Sequence, residues 1–217
     1  MYKNVVFDLD GTLLNTLTDL ADAGNRLCRK YGWPTHERQA YRYFVGNGIP
    51  KLVERLAPAD QRTPAVLEAA LADFKRDYGQ HLRDTTAPYP GIPEMLAKLK
   101  ANGVQLAVFS NKADALAKEV VKDYFGTQYF TIVRGQMTGV APKPAAEGTN
   151  ALLQALHADP ASTLYVGDSN VDVETAHNAN LPCCGAVWGF RTREELNAAG
   201  AEYLAENSDE LYDVIMK

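Results

Sequence analysis

The chain has 217 residues, 46% hydrophobic and 23% charged, the composition of an ordinary soluble globular protein. A net charge of -5 argues against a broad nucleic-acid footprint, and no apolar run approaches the roughly 20 residues that cross a bilayer. Cys28, Cys183 and Cys184 form an odd set without metal-ligand spacing; buried, reduced thiols and a cytoplasmic location are expected.

The first predicted strand covers 4–9 and ends in Asp8-Leu9-Asp10-Gly11-Thr12. It begins so near Met1 that no signal peptide is expected. Asp8 and Asp10 are two apart, so an extended backbone sends both side chains to the same side. Paired carboxylates repel, and asparagine or glycine would turn the chain more easily. The pair therefore marks a place where a cation and a phosphate meet.

From 16 to 84 no convincing strand occurs. Helices are predicted over 18–31, 37–44, 49–56 and 64–82, separated by Pro34, the Gly46-Asn47-Gly48 turn, Pro58 and Pro64. Leu67, Leu71, Phe74 and Tyr78 recur at helical spacing, which predicts one buried face. Ala87-Pro88-Tyr89-Pro90-Gly91 then marks a stiff return.

Beyond it, helices over 92–102, 113–124, 145–156, 171–179 and 192–199 alternate with strands over 105–109, 129–133, 163–166, 183–187 and 202–204. Glycine at 103 gives the first of these helices a good stop signal. Such alternation predicts an α/β fold, a Rossmann-like parallel sheet with helices on both faces. The expected organisation is a core of 1–15 and 85–217 with a helical module, 16–84, inserted after the first strand.

Four further segments carry polar residues of interest. Ser110-Asn111 follow one strand, Lys143 lies between Pro142 and Pro144, Gly167-Asp168-Ser169 ends another strand, and Asp172 follows on the next helix. Each alone has an ordinary explanation: a helix cap or turn, a solvated lysine, a carboxylate near a helix dipole. In a parallel sheet, however, strand C-termini converge on one edge, where ligands bind. Three strand ends carrying Asp-x-Asp, Ser-Asn and Gly-Asp-Ser argue for a single site.

This ordered set, Asp8-Leu9-Asp10-Gly11-Thr12, Ser110-Asn111, Lys143, then Gly167-Asp168-Ser169 with Asp172, resembles the haloacid-dehalogenase-like (HAD) superfamily, and 16–84 resembles its small α-helical cap domain. Val45-Gly46-Asn47-Gly48 with Leu52-Val53-Glu54-Arg55, and Val187-Trp188-Gly189-Phe190-Arg191, are most similar to the phosphoglycolate phosphatase branch.

The resemblance implies a Mg2+-dependent phosphatase acting on a small phosphorylated metabolite through an aspartyl-phosphate. Asp8 is then the nucleophile and Asp10 the general acid and base. Mg2+ is held by Asp8, the Asp10 carbonyl and Asp168, supported by Asp172 and Ser169. Ser110, Asn111 and Lys143 bind the phosphate, with the amides of Leu9, Asn111 and the Gly11 turn as further donors. In the cap, Asn47, Lys51 and Arg55 are the candidates for substrate contact. An acid at Asp10 points away from the dehalogenase and phosphonatase relatives, which lack one.

A phosphosugar mutase or a pyrophosphatase of the same superfamily, and a non-catalytic HAD-fold regulatory protein, are the alternatives. No nucleic-acid or membrane partner is expected, and the protein is expected to be a monomer or homodimer. Two departures from the family pattern, Asn15-Thr16 after the first motif and Ala179-Asn180 after Asp172, are expected to act as helix caps.

Overall fold

A computed structural model describes residues 1–217. The chain divides into two compact units, Met1–Leu14 with Pro88–Lys217, and Asn15–Ala87. The crossings are made by β2 (Leu14–Asn15) and β3 (Ala87–Pro88), two short strands absent from the sequence reading.

The α/β unit is built on β1 (Asn4–Phe7), Asn4 followed by three apolar, strand-favouring residues, all four buried. β1 pairs in parallel with β4 (Gln105–Ala113) on one side and β6 (Thr163–Gly167) on the other. Outward from these lie β5 (Phe130–Gln136), β7 (Cys183–Ala186) and β8 (Tyr203–Ala205), giving the order β5-β4-β1-β6-β7-β8 with every pairing parallel. Direction around the sheet therefore reverses at β1. Crevices at the C-terminal ends of such strands are where α/β folds bind ligands.

Helices α5 (Ile92–Ala101), α6 (Asp114–Phe125), α7 (Ala146–Leu156), α8 (Asn170–Asn178), α9 (Arg193–Ala198) and α10 (Ser208–Met216) supply the crossovers and the C-terminus. Val6, Ala107 and Tyr165, level on the three central strands, pack with Leu152, Leu156, Val173 and Ala176 of α7 and α8. The period-2 pleat sends Val5 and Phe7 to the opposite face, where they are equally buried. Burial of an aliphatic or aromatic side chain of this size stabilises by about 1.5–3 kcal/mol.

The unit departs from the sequence reading in three places. β4 runs to Ala113 rather than 109, so Ser110, Asn111 and Lys112 belong to the strand. β1 ends at Phe7, which puts Asp8 immediately past the strand. α10 was not anticipated; Asn207 caps it, accepting from the amides of Asp209 and Glu210. Asn180 does take up the left-handed conformation expected of it, with φ 57°.

The helical unit contains α1 (Leu17–Tyr31), α2 (Arg38–Phe44), α3 (Ile49–Leu56) and α4 (Pro64–His81). Tyr41, Phe74 and Tyr78 are among its fully buried side chains. On α4 the buried face is Ala70, Phe74 and Tyr78; Leu67 and Leu71 are only half-buried, because the small Ala70 takes the innermost place in the earlier turns. Asp19 on α1 is 2% exposed and accepts from the backbone and hydroxyl groups of both Thr85 and Thr86. Those bonds hold 85–86 in the helical unit, so its boundary falls three residues later than 84. Thr16 stands at the N-cap of α1 without a side-chain capping bond; Asn15 Oδ1 instead accepts from the Leu17 amide at 3.4 Å.

Candidate active site

The ends of β1, β4 and β6 deliver their polar residues to one edge. Asp8 follows β1 directly, its amide donating to the Val166 carbonyl at 2.8 Å. Gly11 forms the next turn at φ +95°, and a side-chain carbon there would collide with the Asp168 carboxylate. Both the backbone turn and the close approach therefore require glycine. The Gly11 amide donates to Leu14 O at 2.8 Å, so it is already engaged within its own turn and is not the phosphate donor expected.

Asp168 is buried and fixed from two sides. Thr12 Oγ1 donates to its Oδ1 at 3.0 Å, and the Phe190 amide donates to its Oδ2 at 2.7 Å. Thr12 is held in turn, its carbonyl accepting from Trp188 Nε1 at 3.0 Å. Ser169 and Asp172 form the capping box of α8. Asp172 Oδ2 accepts from the Ser169 hydroxyl at 2.7 Å and from the amides of Ser169 and Asp168 at 3.1 and 3.2 Å. The helix-cap explanation therefore holds for Ser169 and Asp172, and the same cap orients the loop that carries Asp168.

Lys143 joins the carboxylates. Its Nζ lies 2.8 Å from Asp8 Oδ1, 2.7 Å from Asp172 Oδ1 and 3.2 Å from the Tyr165 hydroxyl. The loop that presents it is pinned by Asn111, whose Oδ1 accepts from the Lys143 amide at 2.8 Å while its Nδ2 donates to the Lys143 carbonyl at 3.2 Å. The Asn111 side chain therefore positions Lys143 and is not directed at a phosphate. Ser110 is buried beside it, its Oγ accepting from the Lys112 amide at 3.2 Å.

One lysine stands against three carboxylates. Ligand oxygens of Asp8, Asp168 and Asp172 all lie within 4.8 Å of one another. Burial pushes the Asp8 carboxyl up to about 7, opposed by Lys143 and reinforced by Asp172. Burial, then Asp172 and Asp8, push Asp168 well above the carboxylate range. Burial alone would lower the Lys143 ammonium, but Asp172 and Asp8 hold it well above its ordinary value. A cluster of hard oxygen donors with uncompensated negative charge fits a divalent cation such as Mg2+. Asp172 already meets the Lys143 ammonium at Oδ1 and the 168–169 turn at Oδ2, whereas Asp8 meets Lys143 through Oδ1 alone and Asp168 accepts only from neutral donors, the Thr12 hydroxyl and the Phe190 amide.

Two residues that the sequence reading passed over belong to this edge. Lys112 Nζ lies 3.0 and 3.2 Å from the two carboxylate oxygens of Asp10. Tyr165 backs Lys143 from β6 with its hydroxyl. Lysine after Ser-Asn reads as a loop residue, and a tyrosine inside an apolar strand reads as core; neither carried a separate signal.

In the helical unit Asn47, Lys51 and Arg55 already have partners. Arg55 donates to Phe44 O at 2.7 Å and to Asn47 Oδ1 at 2.8 Å, and Lys51 pairs with Glu54 at 2.8 Å. Arg55 thereby fixes the shape of the Gly46-Asn47-Gly48 turn from within the unit.

The fold and the site together define a class. The model of the haloacid dehalogenase-like hydrolase family matches residues 5–186, and the chain belongs to that family, on its phosphoglycolate phosphatase-like branch. The phosphoglycolate phosphatase of Chromobacterium violaceum is 31% identical over 216 residues, covering 98% of this chain and 96% of that protein. That of Neisseria meningitidis is 33% identical over 189 residues, covering 86% and 80%. A crystal structure from Lactobacillus delbrueckii subsp. bulgaricus, described on prediction as a phosphoglycolate phosphatase, superposes with a TM-score of 0.93 at 28% identity, covering 99% of this chain and 98% of that one. No helix is long and apolar enough to cross a membrane.

Proposed function

We propose that the protein hydrolyses a small phosphate monoester of the phosphoglycolate type, with Mg2+, through an aspartyl-phosphate on Asp8. The observation that supports this most is the division of labour at the sheet edge. Asp8 lies in the carboxylate cluster with one oxygen, Oδ1, bound to Lys143. Asp10, two residues on, lies apart with its own lysine.

The chemistry follows from that division. Asp8 attacks phosphorus in line; the bond from phosphorus to the ester oxygen breaks as the bond to the Asp8 carboxylate forms. Lys143 offsets charge on nucleophile and phosphoryl oxygens, and the Ser110 hydroxyl donates to a phosphoryl oxygen. Asp10 gives its proton to the departing alkoxide, then takes one from the water that attacks the aspartyl-phosphate. Asp8, the Asp10 carbonyl and Asp168 would hold Mg2+, which supplies positive charge for the anionic reactants. The helical unit is proposed to act as the cap, and its Gly46-Asn47-Gly48 turn is the candidate segment for substrate choice. The relatives' shared name supports phosphoglycolate as substrate.

Phosphate release from a panel of small esters, phosphoglycolate included, tests the reading. Turnover with Mg2+ that stops on chelation supports it. Absence of phosphate release from every ester, p-nitrophenyl phosphate included, overturns it.

A further inference from the structure

Asp10 must act twice in the proposed reaction, and it sits on a short turn beyond β1 where its carboxylate has several rotamers to choose from. What selects one is visible on β4. Lys112 Nζ reaches both oxygens of Asp10, and the lysine side chain is only 2% exposed while that of Asp10 is 21% exposed. The ammonium is therefore delivered from inside the protein to a carboxylate at its edge.

The backbone is shaped to make this delivery. Phe109 of β4 is level with Arg134 of β5, and Ala113 is level with Gln136, so four steps on β4 face two on β5. The irregularity falls on Ser110, Asn111 and Lys112. Bulges re-aim side chains that a regular pleat would alternate, and all three of these residues are buried. Gly135 lies opposite. A side-chain carbon there would collide with the Lys112 carbonyl and lie 2.6 Å from Asp114 Cα. A bulge in one strand and a glycine in the next together bring Lys112 to Asp10.

Each buried lysine thus serves a different aspartate. Lys143 binds Asp8 and Asp172, and Lys112 binds Asp10. We propose that Lys112 is the positioning residue for the general acid and base: it holds the Asp10 carboxyl where the leaving oxygen, and later the attacking water, will lie. This rests on the aspartyl-phosphate reading above. It assigns Lys112 no contact with phosphate and none with the rest of the substrate.

The leaving group provides the test. Departure of an alkoxide needs the Asp10 proton; departure of p-nitrophenolate does not. Lys112→Met is expected to lower kcat/KM by about a hundredfold for alkyl esters, the scale of a misplaced catalytic group. Phosphoglycolate and glycerol 3-phosphate should suffer alike. For p-nitrophenyl phosphate the loss should be no more than about threefold. Lys112→Arg, which keeps the charge, should recover most of the alkyl-ester rate. In an Asp10→Asn background Lys112→Met should add nothing, because the two changes remove the same function.

Equal losses for alkyl and aryl esters, with additivity in the double variant, would overturn the inference. So would a loss confined to phosphoglycolate and absent with glycerol 3-phosphate, since that makes Lys112 a substrate-carboxylate ligand. If Lys112→Met does not fold, Lys112→Arg and Lys112→Gln carry the same comparison of esters. Failure of the wild-type protein to turn over any ester would instead overturn the hydrolase reading itself.

Discussion

The two units treat charge in opposite ways. At the sheet edge of the α/β unit, Asp8, Lys112, Lys143, Asp168 and Asp172 are all buried. In the helical unit Asp19 is the one buried charged side chain, and its work is structural, tying Thr85 and Thr86 to α1. The remaining ion pairs there lie at the surface or partly exposed, as in Arg26–Asp77 and Lys51–Glu54. Exposed pairs contribute little to stability, whereas buried charges cost stability unless each is matched. The α/β unit keeps a cluster in which one lysine faces three carboxylates, which a fold selected for stability alone would not retain. The helical unit follows the ordinary economy of an aromatic core with a charged exterior.

The largest expected effect comes from the nucleophile. Asp8→Asn should lower phosphate release by about 10^4-fold or more, while thermal unfolding shows no loss of stability, because one repelling charge is removed. A destabilised variant that retained activity would break the contrast between the two units.

Lysine substitutions sharpen it. Lys143→Met leaves Asp8 and Asp172 without their shared cation and should cost about 3–5 kcal/mol in urea unfolding. Arg26→Met, which breaks a pair that is 34% exposed on each side, should cost no more than about 1 kcal/mol. Similar costs at the two positions would mean that burial does not separate them.

The effect of Mg2+ on stability should depend on pH. The Asp8 carboxyl, raised to about 7 in the metal-free protein, has an unfolded-state value near the ordinary carboxylate's. Its proton therefore favours the folded state fully below that ordinary value, and the contribution is lost as pH rises through about 7. A cation competes with that proton, so the rise in Tm on adding Mg2+ should grow between about pH 4 and pH 7. The corresponding stabilisation is about 2.7 kcal/mol at an ion concentration a hundredfold above Kd. A pH-independent rise would contradict the site.

Smaller again is Asp19→Ala, expected to cost about 2 kcal/mol through lost charge-assisted hydrogen bonds. Amide exchange should accelerate at Thr85 and Thr86 before it does so elsewhere in the helical unit.

Legibility in the sequence followed the same division. Asp8, Asp10, Ser110 and Asp168 were readable because a parallel sheet gathers strand ends, so position along the chain implied position in space. Lys143 was readable only as part of the ordered set; nothing local to Pro142-Lys143-Pro144 says that Asn111 pins the loop. Lys112 escaped because its meaning depends on the irregular pairing of β4 with β5, and a pairing between strands is not a local property of either. Asp19 escaped because its partners lie 66 and 67 residues away. The helices of the inserted module were legible from periodicity and from proline and glycine breaks, whereas α10, short and rich in acidic residues, gave a weak pattern. On α4 the spacing found the right stripe but placed Leu67 and Leu71 deeper than they lie, since periodicity gives direction around a helix and not depth.

The central claim is that Asp8 carries the phosphoryl group. Acid quenching during turnover with Mg2+ and a phosphate ester, followed by peptide mass spectrometry, tests it most directly. The added mass of one phosphoryl group is expected on Asp8, greater in amount when Asp10 is changed to asparagine and a p-nitrophenyl ester is supplied, because loading then continues while hydrolysis slows. Turnover with no phosphorylated peptide under either condition, or the added mass on another residue, would contradict it.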